Sequence, residues 1–149
     1  MYSFRNDYSE GAHPKVLQAL ADTNLRQTVG YGMDPCCQAA ADTIRRLCAA
    51  PDVAVHFLVG GTQVNLVTID AFLQSYEAVV AAQTGHVSTH ETGAIEATGH
   101  KVCTVESPDG KLTPALVESV LAGHNGTEHM VLPRMVYISD TTEIGTVYT

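Results

Sequence analysis

Two short stretches carry residue types that could do chemistry. The first is His56-Phe57-Leu58-Val59-Gly60-Gly61-Thr62-Gln63-Val64-Asn65. An apolar run leads into a glycine pair, and Thr62 opens an apolar-periodic segment at Val64, Leu66, Val67, Ile69, Ala71 and Phe72. That pattern is strand, tight turn, helix. A helix N-terminus offers unpaired N–H groups and the positive end of the helix dipole, so it can cradle a phosphate. The motif is neither G-x-G-x-x-G nor a Walker loop, and an ordinary strand turn with Thr62 as N-cap reads equally well. The second stretch is Gly85-His86-Val87-Ser88-Thr89-His90-Glu91. An imidazole at His86 is flat enough to stack on a heteroaromatic ring and can act as a base near neutral pH; a solvated loop histidine is the alternative. His86 and His90 are four apart beside Glu91, but no third ligand is evident, which sets the zinc reading aside. Glu91 is favoured for a role because it shares the His86 segment; Glu96 and Glu143 are ordinary carboxylates on pattern alone.

These stretches need elements to hold them. Pro14 suits the first position of a helix with an apolar face at Val16, Leu17, Leu20 and Ala21. Asp34-Pro35 reads as N-cap and first turn of a second helix running to about Ala49. A first strand is expected over Val53–Leu58, a helix from Thr62 to near Tyr76, and a second strand over Ala78–Ala82. A short helix is expected over His90–Ala97, a third strand over Lys101–Val105, a helix opened by Thr113-Pro114, and a fourth strand over Met135–Ile138. Strands alternating with helices predict an α/β fold with a mostly parallel sheet. In such sheets the loops after strand ends line the binding crevice, so the glycine pair and His86 should face one another. The last expected strand has no covering helix after it, so the chain reads as half a domain.

Composition narrows the class. The chain has 149 residues, 45% hydrophobic and 16% charged, which suits a globular core. A net charge of -8 argues against nucleic acid or an anionic membrane as partner. No 18-residue apolar run offers a membrane span, and the N-terminus lacks a signal peptide's apolar core. Cysteines at 36, 37, 48 and 103 make no C-x-x-C, which favours free thiols in the cytoplasm.

Several blocks in register carry a family resemblance: Asn6-Asp7 with His13-Pro14; Gly30-Tyr31-Gly32-Met33-Asp34; Gly60-Gly61-Thr62-Gln63-Val64-Asn65; Gly85-His86 with His90-Glu91-Thr92-Gly93-Ala94; Asp109-Gly110-Lys111-Leu112; and Ile138 through Thr149. Together they resemble the N-terminal part of the threonine aldolase / β-eliminating lyase family. The resemblance implies the large domain of the aspartate aminotransferase-like fold and the cofactor pyridoxal 5′-phosphate. It implies that Gly61 and Thr62 hold the cofactor phosphate, that His86 stacks on its ring and helps activate substrate, and that Thr141 lies near the cofactor. Glu91 matches a carboxylate beside the histidine. Asn6 stands where many members have a serine contacting the substrate carboxylate, Asp7 matches the acidic residue beside it, and Tyr31 lies in a loop that often crosses a dimer interface. The implied reaction is retro-aldol cleavage of a β-hydroxy-α-amino acid, threonine or allo-threonine, to glycine and an aldehyde. The implied assembly is a homodimer or homotetramer.

The resemblance also implies a Schiff-base lysine, which Lys15, Lys101 and Lys111 do not match. Residues 1–149 are therefore expected to form a partial cofactor-binding domain, truncated before that lysine and inactive alone. In the family sheet the neighbours of the Val53–Leu58 strand come later, so that strand is expected to be unpaired. The alternatives are a non-catalytic short paralogue that binds a phosphate ligand or a full-length subunit, and another lyase or transaminase of the same fold.

Overall fold

The computed structural model describes residues 2–3, 6, 8–124 and 127–149. They fall into two compact units, 1–57 and 58–149. In the first unit, helix α1 covers Pro14–Thr23 and helix α2 covers Pro35–Leu47. The His13 ring accepts from Lys15 N–H at the head of α1. Asp34 accepts from Cys36 and Cys37 N–H at the head of α2, as an N-cap should. That hydrogen bonding, led by the Cys37 side chain, holds the Asp34 carboxyl below the usual carboxylate range. Helix α2 stops short of Ala49, which takes a left-handed φ of 50°.

The second unit holds a three-stranded parallel sheet of order β2-β1-β3, with β1 at Glu77–Ala82, β2 at Lys101–Val105 and β3 at Leu132–Val136. Ahead of the sheet comes α3, Gly61–Phe72; α4, His86–Thr89, and α5, Ala94–Ala97, link β1 to β2; α6, Pro114–Gly123, links β2 to β3. Successive residues of a strand point to opposite faces, and β1 is buried on both. Val79 and Ala81 pack with Ile69, Leu73, Val87 and Ile95 of the α3–α5 side. Ala78, Val80 and Ala82 pack with Cys103, Leu112 and Val120 on the α6 side. The result is helix, sheet, helix, with β1 as the spine. Thr113 caps α6, accepting from Leu116 N–H.

Four expectations need correction. Val53–Leu58 is not a strand: no neighbouring chain pairs with it among the described residues, so there is no ladder, and Val53 and Phe57 are exposed. The helix from the glycine pair ends at Phe72 rather than near Tyr76, because Leu73 turns extended and enters the core. The single helix over His90–Ala97 is two short ones, since Thr92 and Gly93 both take positive φ, 55° and 74°, which a right-handed helix cannot pass through. The last strand lies at Leu132–Val136 rather than Met135–Ile138; a register shift beside Ala78 leaves Arg134 as the extra residue, and Pro133 is tolerated at this edge. Among the described residues no helix is long and apolar enough to cross a membrane.

Two outcomes follow from the packing. Ile95 is fully buried between α3 and the sheet, so Ile95→Ala should lower unfolding free energy by about 2–5 kcal/mol in urea titrations. Cys103 lies in the other face of the core and burial pushes its thiol up, whereas Cys36 and Cys48 are exposed. Alkylation followed by mass spectrometry should therefore modify Cys36 and Cys48 first, with Cys103 reacting only above the usual thiol range or on unfolding.

Candidate functional site

The site is built where β1 and β3 end and α3 begins. The α3 N-cap is Gly60, extended at φ -173° and ψ 162°, and no side chain caps the helix. Gln63 instead reaches back, its Oε1 accepting from Val59 N–H at 3.0 Å, which fixes the approach of the chain. Nothing stands within 4 Å of where a Cβ would sit on Gly60 or Gly61. The first turn of α3 thus presents open backbone.

Strand β1 ends at Ala82 and the chain turns sharply into α4. Gly85 N–H donates to Ala82 O at 2.8 Å, and a Cβ on Gly85 would sit 3.0 Å from that same oxygen. So close an approach to a backbone oxygen favours glycine, and the turn delivers His86 as the first residue of α4. His86 Nδ1 lies 2.8 Å from Glu91 Oε1. The Glu91 side chain is wholly buried, while that of His86 is 43% exposed. Asn65, one helical turn beyond Gly61, donates through Nδ2 to the same Oε1 at 2.5 Å. Glu91 Oε2 is buried without a hydrogen-bond partner. A carboxylate oxygen accepts, so Nδ1 is the donor of this pair and Nε2 is the ring nitrogen that Glu91 does not engage. His90 stacks obliquely on His86, ring centroids 5.5 Å apart.

The third wall follows β3. Glu143 Oε1 accepts the His86 N–H at 2.8 Å and the Ser139 hydroxyl at 2.5 Å; Ser139 Oγ also lies 3.2 Å from the Tyr137 hydroxyl. Gly61, Asn65, His86, Tyr137, Ser139, Thr141 and Glu143 together line a cleft of about 380 Å³. That volume suits a small ligand, and the position, beyond the carboxyl ends of parallel strands, is where such sheets bind one. Among the described residues no lysine or arginine lines it.

Three of the expected residues, Gly61, His86 and Thr141, meet at this cleft, with Glu91 behind the imidazole. Thr62 lies on the exposed first turn of α3 but is not one of the lining residues, and Gly60 rather than Thr62 is the N-cap. Asn6 and Tyr31 belong to the first unit. There Asn6 Oδ1 accepts from Tyr8 N–H and Ser9 hydroxyl, and Tyr31 is fully exposed with φ 63°. Asp7 lies outside the described residues. Among the described residues no group of three His, Cys, Asp or Glu could hold a metal ion. Sequence reasoning missed Asn65, Ser139, Tyr137 and Glu143. The i, i+4 spacing from Gly61 could have flagged Asn65, and the rule that loops after strand ends line the crevice could have flagged Glu143.

The profile of the family described as Beta-eliminating lyase matches residues 4–149. A low specificity L-threonine aldolase of Pseudomonas sp. (strain NCIMB 10558) is 36% identical over 147 residues, 97% of this chain and 42% of that protein. A protein of the same description from Pseudomonas aeruginosa is 35% identical with the same coverage. The solved structure of Leishmania major threonine aldolase superposes with a TM-score of 0.95 at 57% identity, over 99% of this chain and 43% of that one. The chain thus spans less than half the length of these relatives.

Gly85 gives the site its test. Gly85→Ala must push the turn away from Ala82 O, which should destabilise the unit by about 1–3 kcal/mol in urea titrations and shift the His86 amide resonance.

Proposed function

Because the chain belongs to the β-eliminating lyase family, we propose that its cleft holds pyridoxal 5′-phosphate and serves a threonine aldolase-type cleavage of a β-hydroxy-α-amino acid to glycine and an aldehyde. The observation that carries this reading is the convergence of Gly61, His86 and Thr141 on one cleft. The residues present fit the group. The uncapped start of α3, with open space at Gly61, suits a phosphate dianion, and the half-exposed imidazole suits a flat ring. When bound, the cofactor supplies an electron-withdrawing ring that stabilises a carbanion at the amino acid Cα.

The chain's own contributions are positional and protonic. Backbone N–H groups at Gly61 and Thr62 bind the phosphate, with the α3 dipole adding attraction. Glu91 holds Nδ1–H of His86, so the ring keeps one orientation and Nε2 is free to take a proton from a substrate hydroxyl. Thr141 lines the same cleft, and the family resemblance assigns Asn6, Asp7 and Tyr31 to the substrate. The same reading extends to a homo-oligomer, dimer or tetramer, working in the cytoplasm; four free cysteines fit a reducing compartment.

Equilibrium dialysis against pyridoxal 5′-phosphate and unphosphorylated pyridoxal tests the assignment. The phosphate ester should bind more tightly, and Gly61→Asp, which sets a carboxylate at the helix start without disturbing the helix, should cost about tenfold or more in affinity. Equal binding of the two ligands, or an unaffected Gly61→Asp, would sink it. Lys101 and Lys111 both lie away from the cleft, Lys111 being engaged by Asp109 and Val147 O. Threonine added with cofactor to this chain alone should accordingly yield no glycine in a coupled assay.

A further inference from the structure

The His86 ring is fixed at one side by Glu91, but a ring is only as well placed as the backbone that carries it. Helix α4 is four residues long and has no cap of its own: its N-cap is Gly85, which has no side chain to offer. His86 N–H is one of the unpaired donors that begin any helix. Its acceptor comes from 57 residues further along, at Glu143 Oε1, 2.8 Å away. The same oxygen takes the Ser139 hydroxyl.

The loop that carries Glu143 is itself held. Thr142 N–H donates to Thr146 O and Gly145 N–H to Thr142 O, both at 2.9 Å. The Thr142 and Thr146 hydroxyls pair at 2.7 Å, and Thr146 Oγ1 donates to Asp109 O at 2.5 Å. Thr142, next to Glu143, is buried. Gly110, φ 74°, lies against this turn, where a Cβ would meet Ile144 Cγ1 at 3.1 Å and Thr142 at 3.3 Å. Glu143 therefore stands on a turn with little freedom and reaches from it to the one backbone group that sets where His86 sits.

We propose that Glu143 is a positioning residue for His86, acting through the His86 backbone N–H rather than through the ring. The proposal rests on the reading that His86 faces the cofactor ring. It divides the work between two carboxylates: Glu91 orients the imidazole and Glu143 anchors its backbone. A charged acceptor makes the stronger bond, but an amide carbonyl can take its place.

The test uses the full chain and three variants, Glu143→Ala, Glu143→Gln and Ser139→Ala. Amide hydrogen exchange at His86 is read first without ligand, then pyridoxal 5′-phosphate affinity by dialysis. Glu143→Ala should lose about tenfold of the protection at His86 while Val79, Val80 and Ala81 keep theirs, and should weaken the cofactor about fivefold or more. Glu143→Gln should keep protection within about threefold, because its carbonyl still accepts. Ser139→Ala, which frees the carboxylate without removing it, should fall between them and decides the matter if Glu143→Ala does not fold. Unchanged His86 protection in both Glu143→Ala and Ser139→Ala overturns the proposal. So does an equal loss across the strand and His86 in Glu143→Ala and Glu143→Gln alike, since that is loss of stability and not of position. A wild-type chain with no preference for the phosphate ester would defeat the cofactor reading alone, because the exchange data are taken without it.

Discussion

A carboxylate with no access to water must find its donors inside the protein, or the fold bears an uncompensated buried charge. Glu91 is in that position, and the donors it finds, Asn65 from α3 and His86 from α4, organise the cleft. One oxygen gathers both. The helix whose first turn offers open N–H groups and the imidazole that faces the same space are thereby tied to a single atom. Removing Glu91 would release two walls at once, whereas removing either donor would leave the other still held.

The sheet makes that arrangement possible. Strand β1 is buried on both faces, so its carboxyl end is held by packing from either side. The turn at Gly85 exits from that end, and the segment Tyr137–Glu143 leaves β3 beside it. Helices α3 and α5 cover one face and α6 the other. A ligand entering the cleft meets side chains whose backbones are anchored in a packed layer. It also meets one stretch of bare helix start, which favours an anion.

How much of this could be read in advance depends on whether the cause was local. The run from Ala78 to Ala82 announces itself because a strand covered on both faces must be continuously apolar. Val53–Leu58 carries a similar run and yet forms no strand, since a strand is a relation between two segments and its own residues supply only one. The split between α4 and α5 was hidden because Thr92 holds a left-handed φ that threonine rarely takes, and nothing in Glu91-Thr92-Gly93 forces it before the Glu91 carboxylate is buried. At the site, Gly61, His86 and Thr141 were legible through the rule on strand ends together with the family resemblance. The same rule reaches Glu143 but not its contact, because its partner is a backbone N–H, and a main-chain donor leaves no trace in residue type. The alternative reading of Thr62 as N-cap does not hold for a similar reason: Gly60 reaches extended geometry and takes that place without a side chain.

The strand order β2-β1-β3 has an entropic corollary. Pairing β1 with β2 joins residues 78 and 101 across a short excursion, whereas pairing β1 with β3 joins residues 77 and 132 and must close a loop more than twice as long. The loss of chain freedom on closure grows with the logarithm of that length. Tyr137, Ser139, Thr141 and Glu143 all arrive with the longer closure. The pocket therefore comes into being only with the pairing of longer range, so a chain that has assembled β1, β2 and their helices can be largely compact while still having nowhere to bind.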